Sequence, residues 1–373
     1  MKGVPEEMFT LSIGEMGDPD ACGGPESVIP ASIAPIHLPN GEVIRPFDLR
    51  HEDVGRLLGL KEAVYGKPFD RAVFEWQYFR HPRAADIRVA VVEQNHQIVA
   101  ATTRFPATFR LGAEDCPAFF NIDSMVHPDH RRKGRMRDLY RFARALLPQS
   151  ALLFSKGSSS QIYPLLLSIG HQEITPNTHL VSYPSATRWL MSRLRLKAPP
   201  SVGEARAPAG FEEFHAVERF DADFDAFFRR VASRYSALFV RDAAYMNWRY
   251  RDVPHRRYVV FQRIVNDRMA AIVVLSVHGD QGQIVDVLWD PDASDEPERC
   301  VRFAQAYFDE HQCVRVVCFA THPRLREVLN GAGFLDRGET PRFSAFIPPE
   351  RQLAFQRIGE MHVVDGDGDT EFS

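Results

Sequence analysis

The sequence predicts a mixed α/β protein made of two similar domains in tandem. The chain has 373 residues, which corresponds to about two domains at roughly 100–200 residues each. Strand-like and helix-like apolar patterns alternate along most of it. Short motifs of the first half also recur, in the same order, in the second half, as expected for a duplicated domain.

The composition is that of a folded globular protein and excludes several classes of function. Hydrophobic residues make up 45% and charged residues 25%, and a net charge of −4 gives no general attraction for nucleic acid or an anionic membrane. The five cysteines form no C-x-x-C pair, which argues against a zinc site and for a reducing compartment. No apolar run approaches the ~18 residues that span a bilayer, and the N-terminus lacks a signal-peptide core. We therefore expect a cytoplasmic protein with no metal.

The elements of the first half follow from apolar periodicity and turn residues. Apolar residues at helical spacing predict helices over residues 53–64, 134–147 and 161–168. Short runs rich in β-branched and aromatic residues, bounded by turn residues, predict strands over 42–47, 87–92, 98–105, 119–126 and 151–154.

Changes in composition predict the domain boundaries. We expect an irregular N-terminal extension at 1–42, rich in Gly and Pro, a first domain at 43–180, and a linker at 181–208 that includes Lys197–Gly203. The second domain is predicted at 209–348, followed by an acidic tail at 349–373.

Three pairs of motifs indicate the duplication. The pattern W-x-Y-x-x-x-P occurs at Trp76 and again at Trp248. The segments around Asp123 and Asp286 match at an offset of 163 residues, as do residues 168–170 and 331–333. The Trp and Tyr residues are predicted to be core; the alternative is that Trp76 and Tyr78 line an acceptor cleft.

A basic turn carries the chemistry of the first domain. The segment Met125–Met136 follows a strand, opens a helix and contains Gly134 among several Arg and Lys residues. A glycine lets the backbone approach a ligand closely, and the first N–H groups of a helix point toward an anion. These features favour phosphate binding, although a basic turn is also typical of a solvated surface.

This segment resembles the acyl-CoA-binding motif of the GNAT superfamily, V-x-P-x-x-R-x-x-G-x-G/A. Val126, Pro128, Arg131 and Gly134 stand at the expected spacing, and Met136 replaces the final small residue. The resemblance covers about 44–180 and, more weakly, 211–347. It implies a mixed, mostly antiparallel central sheet flanked by helices in each domain, and an acyl-CoA co-substrate such as acetyl-CoA.

The resemblance also implies which residues contact the co-substrate. Backbone groups of Met125 and Val126 would pair with the pantetheine arm, and backbone N–H groups from Arg132 to Met136 would hold the pyrophosphate. The predicted cofactor-binding set is Met125, Val126, Arg131, Arg132, Lys133, Gly134, Arg135 and Met136.

The second copy lacks this turn. After Pro291 it continues with four acids and no glycine before Arg299, and acids at the start of a helix would repel a pyrophosphate. We therefore expect a degenerate second domain that closes the acceptor cleft.

Two residues are candidates for proton transfer. Acyl transfer needs a neutral amine, so a base or a desolvating site is required. Asp123, on the strand before the turn, is the candidate base. The alternative is a structural role for Asp123, because Asp286 occupies the same place in the second copy, which lacks the basic turn. The resemblance implies a tyrosine acid four residues before a Gly-Phe pair, where this chain has Leu166 before Gly170-His171. Tyr163, one turn earlier, is the candidate. His127, His130 and His171 are interpreted as surface or packing residues.

The predicted function is acyl transfer from an acyl-CoA to a small-molecule amine, such as an amino sugar, a sugar nucleotide or an amino-acid-like metabolite. Two alternatives stay open: an aminoacyl-tRNA-dependent transferase with tandem GNAT-like domains, and an acyl-CoA-binding regulatory module without turnover. The R-x-x-G turn at Arg131 and the absence of a long basic insertion favour the CoA-dependent enzyme.

Overall fold

The computed structural model describes residues 33–176, 178–194, 206–338 and 342–368. Most of the predicted extension (1–32), the linker core (195–205) and the end of the acidic tail (369–373) lie outside the described residues. Within them, no helix is long and apolar enough to cross a membrane.

Two sheets form the framework, with strands numbered in chain order. The first contains β1 (Ile36–His37), β2 (Val43–Phe47), β3 (Arg88–Gln94), β4 (Gln97–Leu111), β5 (Glu114–Val126), β6 (Leu152–Ser155), β7 (Gln172–Glu173), β10 (Ala237–Phe239), β16 (Ser344–Phe346) and β17 (Met361–His362). The second contains β8 (His179–Ser182), β9 (Phe214–Ala216), β11 (Tyr258–Val265), β12 (Arg268–His278), β13 (Gln281–Trp289), β14 (Arg315–Phe319) and β15 (Leu335–Asp336).

Helices flank both sheets. They are α1 (Gly55–Tyr65), α2 (Arg71–Tyr78), α3 (Arg135–Ala145), α4 (Ile162–Ser168), α5 (Ala186–Arg193), α6 (Ala222–Ala232), α7 (Ala243–Tyr250), α8 (Glu296–Glu310), α9 (Pro323–Gly331) and α10 (Pro349–Gln356). Asp70 caps α2 and Asp242 caps α7 through side-chain bonds to backbone N–H groups, so both W-x-Y motifs lie on helices that begin in the same way.

The two sheets share one pattern, which confirms the predicted fold class. In the first, β4 and β5 pair antiparallel and β5 pairs in parallel with β6. In the second, β12 and β13 pair antiparallel and β13 pairs in parallel with β14. Most other pairs are antiparallel, and one continuous apolar core joins the two halves.

Strands cross between the halves, so the predicted domain boundaries do not coincide with the sheets. β8, at the end of the predicted first domain, pairs with β14 of the second sheet. β16 lies between β6 and β7 of the first sheet, and β10 pairs with β4. Residues 186–193 of the predicted linker form α5. Each half therefore completes the sheet of the other.

The W-x-Y residues are core residues. Trp76 and Tyr78 are each 1% exposed and Trp248 and Tyr250 each 3% exposed, and none of them lines the cavities described below. The prediction of a packing role agrees with this burial.

The predicted acidic tail is partly buried. Its first part forms α10, and β17 pairs in parallel with β10. Residues 363–367 then enter the interior between the sheets, where Lys156 donates to the carbonyl oxygens of Val364, Asp365 and Asp367 at 2.9, 2.8 and 3.0 Å. Arg241 binds the carboxylate of Asp367 at 2.8 Å. The acids of this segment are therefore neutralised inside the protein.

Candidate active site

A bulge in β5 opens the first sheet. The register between β4 and β5 shifts so that two residues, Asp123 and Ser124, oppose Thr102, and Asp123 has a φ of +47°, which is uncommon outside glycine. β5 pairs with β6 only at residues 118–120. From Asn121 to Val126 the edge of β5 therefore faces a gap between the two parallel strands.

The basic turn follows this open edge. Pro128–His130 forms a single 3-10 turn, Arg132 and Gly134 have φ of +62° and +76°, and α3 begins at Arg135 with no side chain capping it. Its first N–H groups are consequently available to an anion. Residues 131–134 are exposed, so the turn presents positive charge at the surface.

All eight residues predicted to bind the cofactor line one groove of about 1000 Å³. The side chains of two of them are buried in the protein. The Arg135 guanidinium pairs with Glu42, its Nε lying 2.6 Å from Oε1, so only the backbone of Arg135 remains for a phosphate. Met136 belongs to a buried apolar cluster that includes Leu139 and Leu166. The groove fits an elongated ligand with a phosphate group at its basic end.

A second cavity, of about 520 Å³, adjoins the groove and contains Asp123. Ser124, Ser159 and Ile162 line both spaces. A ligand lying along the groove would therefore reach the second space at the bulge. We call the second space the Asp123 cavity.

The Asp123 carboxylate is held by two buried groups. Lys61 Nζ lies 2.8 Å from Oδ2, and the Tyr78 hydroxyl donates to the same oxygen. Burial, and then the charge of Asp123, raise the pKa of Tyr78 well above 10, so Tyr78 keeps its proton and donates a hydrogen bond to Asp123. Asp123 is thus an oriented carboxylate that lines the cavity.

Asp286 has an equivalent place in the second sheet. The Tyr250 hydroxyl donates to its Oδ2 at 3.0 Å, and Arg241 lies 3.1 Å from Oδ1. Asp286 is only 1% exposed, and burial raises its pKa to about 6 despite Arg241. Tyr, Asp and a cation therefore form a similar cluster in both copies, and Asp123 lines the cavity described above.

The turn of the second copy carries ion pairs in place of an open anion site. Glu296, at the start of α8, pairs with Arg263, and Glu298 pairs with Arg324. Two of the four acids of this turn are thus bound to the protein's own arginines.

The tyrosine predicted as the acid is not among the residues lining either cavity. Tyr163 lies on α4 and is half-buried, whereas Tyr140 of α3, which the sequence reasoning missed, lines the Asp123 cavity. The Tyr140 hydroxyl lies 2.7 Å from Ser124 Oγ, at the junction with the groove. The guanidinium of Arg104 lies 4.9 Å from the centre of the Tyr140 ring. Helical spacing alone marks Tyr140 as an ordinary core residue, so the sequence held no signal for it.

The histidines near the turn do not gather around Asp123. His127 and His130 lie beside the basic turn, and His171 is 5% exposed. Burial, and then Arg104, lower the pKa of His171 to about 3, so it is a neutral packing residue.

Comparisons with known proteins agree with this geometry. Residues 45–163, which include the basic turn and Asp123, match the acetyltransferase (GNAT) domain family. No curated protein matches the chain.

Several solved structures share the fold at low sequence identity. A probable N-acyltransferase from Enterococcus faecalis V583 has a TM-score of 0.56 at 12% identity, over 82% of this chain and 73% of that one. N-myristoyltransferase from Saccharomyces cerevisiae with bound myristoyl-CoA has a TM-score of 0.56 at 12% identity, over 90% and 85%. A GCN5-related N-acetyltransferase from Anabaena variabilis ATCC 29413 has a TM-score of 0.57 at 11% identity, over 82% and 73%.

Proposed function

We propose that this chain, which belongs to the GNAT superfamily of acyltransferases, transfers an acyl group from an acyl-CoA to the amine of a small molecule. The observation that carries the proposal is the junction at Ser124, Ser159 and Ile162, where the groove with the basic turn meets the Asp123 cavity. A thioester at this junction would face an amine in the cavity. An amino sugar, a sugar nucleotide or an amino-acid-like metabolite is the acceptor class that a polar cavity of this size suits.

The groove residues would hold the CoA part. Backbone N–H groups at the start of α3 and the exposed side chains of Arg131, Arg132 and Lys133 suit a pyrophosphate. The edge of β5 at Met125 and Val126, which has no partner strand on the β6 side, suits a pantetheine amide. Bound in this way, the acyl-CoA supplies an activated carbonyl carbon.

Asp123 is proposed to take the proton of the ammonium form of the acceptor. A free alkylamine has a pKa of about 10.4, so its lone pair must be released before attack. Lys61 and Tyr78 fix the orientation of the carboxylate, whose side chain is 15% exposed.

Tyr140 is proposed to supply the proton of the leaving thiol. The amine nitrogen bonds to the carbonyl carbon, the C–S bond breaks, and the Tyr140 proton moves to sulfur; the nitrogen then loses its second proton and restores the phenol. Arg104 lies against the ring of Tyr140 and stabilises the phenolate while it exists. Acyl-CoA and amine thereby become amide and CoA, and the proton that Asp123 took from the ammonium leaves to solvent.

Calorimetry with acetyl-CoA, followed by release of free thiol over a panel of amines, tests the proposal. We expect one binding site per chain and thiol release that depends on a particular amine. Binding without amine-dependent release from any member of a broad panel would favour the non-catalytic alternative.

A further inference from the structure

The inner end of the Asp123 cavity contains an amide without a partner. Asn121 lines the cavity and is 5% exposed, and neither its Oδ1 nor its Nδ2 makes a hydrogen bond to any described residue. Buried polar groups in native proteins are almost always paired. A side-chain amide left in this state beside a cavity indicates that a ligand supplies its partner.

Arg104 lies next to Asn121 and is a buried cation without a counter-ion. The two residues are partners across β4 and β5, so their side chains share one face of the sheet. Nη1 of Arg104 donates to Thr102 Oγ1 at 2.8 Å, while Nε and Nη2 have no hydrogen-bond partner in the part of the chain that the structure describes. Among the described residues no carboxylate lies within ion-pair distance of it. Burial lowers its pKa to about 10, so it is charged at neutral pH.

The groups around this pair add donors and no free negative charge. The hydroxyls of Ser155 and Ser158 lie 2.8 Å apart at the wall of the cavity. Of the two carboxylates that line the cavity, Asp123 is bound by Lys61, and Asp70 accepts a hydrogen bond from the backbone at the start of α2. The inner end therefore has an excess of positive charge and hydrogen-bond donors, in a place where an apolar chain would leave them unsatisfied.

We propose that the inner end of the cavity selects an acyl group whose short chain ends in a carboxylate. The inference rests on the proposed function, because it places the thioester at Ser124. Asn121 lies three residues before Ser124 on β5, at most about 10 Å away. A hydrogen bond of about 3 Å at each end leaves about 4 Å between the thioester and the terminal group, which is the length of a four-carbon acyl chain. The Asn121 amide donates to the terminal carboxylate, and Arg104 neutralises its charge.

Two acyl-CoA molecules of equal chain length test this selection. Succinyl-CoA carries a carboxylate where butyryl-CoA carries a methyl group, and calorimetry measures both without an acceptor amine. We expect succinyl-CoA to bind the full chain at least about tenfold more tightly than butyryl-CoA, the scale of one charge-assisted hydrogen bond. Butyryl-CoA binding as tightly as succinyl-CoA would overturn the inference, as would tighter binding of the neutral analogue 4-hydroxybutyryl-CoA.

An isosteric variant tests the role of Asn121 in this selection. Asn121→Asp keeps the shape of the side chain but repels a carboxylate, so it should abolish the preference for succinyl-CoA while free CoA binds as before. The matched control is Asn330→Asp, at an exposed position of α9, which adds the same charge far from the cavity and should keep the preference. An unchanged ratio in Asn121→Asp would overturn the inference. Failure of free CoA to bind the unmodified chain would instead overturn the proposed function.

Discussion

Trp76 and Trp248 donate hydrogen bonds to each other's backbone. The indole Nε1 of Trp76 lies 2.7 Å from the carbonyl oxygen of Trp248, and the reverse pair lies 2.9 Å apart, with the rings stacked 4.8 Å from centre to centre. Each tryptophan comes from the same motif of its own copy. The duplication thus produces a two-fold contact at the centre of the molecule.

A double-mutant cycle measures this contact. Trp76→Phe and Trp248→Phe each remove one buried hydrogen bond and part of the stack, and should each lower the free energy of unfolding by about 1–3 kcal/mol. Because the two rings stack on each other, the double variant should show a coupling energy of about 0.5–3 kcal/mol in denaturant unfolding. Additive losses would contradict a direct contact between the rings. Trp189→Phe, at a 40% exposed position, is the control.

Gly134→Glu should abolish binding of acyl-CoA, because its carboxylate would stand at the proposed pyrophosphate position. Gly134 has a positive φ and an open surface around it, and so does Gly112 in the turn between β4 and β5. Gly112→Glu therefore imposes the same backbone strain, about 1–2 kcal/mol, without touching the groove. Calorimetry should show CoA binding in Gly112→Glu only. Retention of affinity in Gly134→Glu would place the co-substrate elsewhere.

The two tyrosines are distinguished by kinetics. Tyr140→Phe should lower kcat by about 100-fold or more, the scale of a lost general acid, with little change in KM for the acyl-CoA. A loss of kcat in Tyr163→Phe with full activity in Tyr140→Phe would restore the sequence-based assignment. Thermal unfolding of both variants checks that the fold is intact.

Asp123→Asn should lower kcat with little change in KM for the acyl-CoA. Asp286→Asn is its structural counterpart, since it also removes a carboxylate from a tyrosine and a cation. Both variants should lose stability, but only Asp123→Asn should lose activity per folded molecule. Equal activity in the two variants would leave Asp123 with the structural role alone.

Buried histidines should make the protein less stable in acid. Burial, and then Arg83, lower the pKa of His81 from 6.5 to about 3, so below pH 6.5 the unfolded chain binds a proton that the folded chain does not. Stability is therefore present above pH 6.5 and is lost as pH falls toward 3, at up to about 1.4 kcal/mol per pH unit for this residue. His81→Asn keeps an acceptor for the N–H of Arg83 and should flatten the slope in denaturant unfolding at pH 4–6. An unchanged slope would contradict the prediction.

The sequence predicted the local elements well because their patterns are local. The strand ending at Val126, the helix after Gly134 and the short helix ending at Ser168 all occur, and the predicted GNAT resemblance is confirmed over residues 45–163. The strand predicted to end at Phe105 continues to Leu111. Helix α2, which carries Trp76, was not predicted.

The rest of the candidate site could not be predicted from the sequence, because it depends on strand register and on strands that are distant in the chain. The pairing of Arg104 with Asn121 follows from the antiparallel register of β4 and β5. The bulge shifts that register at Thr102, on the N-terminal side of Thr103. The sequence of β4 or of β5 alone shows neither the register nor the bulge. The insertion of β16 into the first sheet pairs Phe154 with Ala345, which are about 190 residues apart in the sequence. Non-local pairings of this kind leave no periodic signal in a single sequence.

The position of residues 364–367 has a consequence for synthesis on the ribosome. Lys156 belongs to the wall of the Asp123 cavity, but three of its hydrogen-bond acceptors are carbonyls that are translated about 210 residues later. At roughly 5–20 residues per second, the nascent chain carries this lysine for ten seconds or more before those partners exist. The wall of the Asp123 cavity therefore stays incomplete while translation continues. Premature termination anywhere upstream of Val364 would release a chain with an unfinished cavity wall.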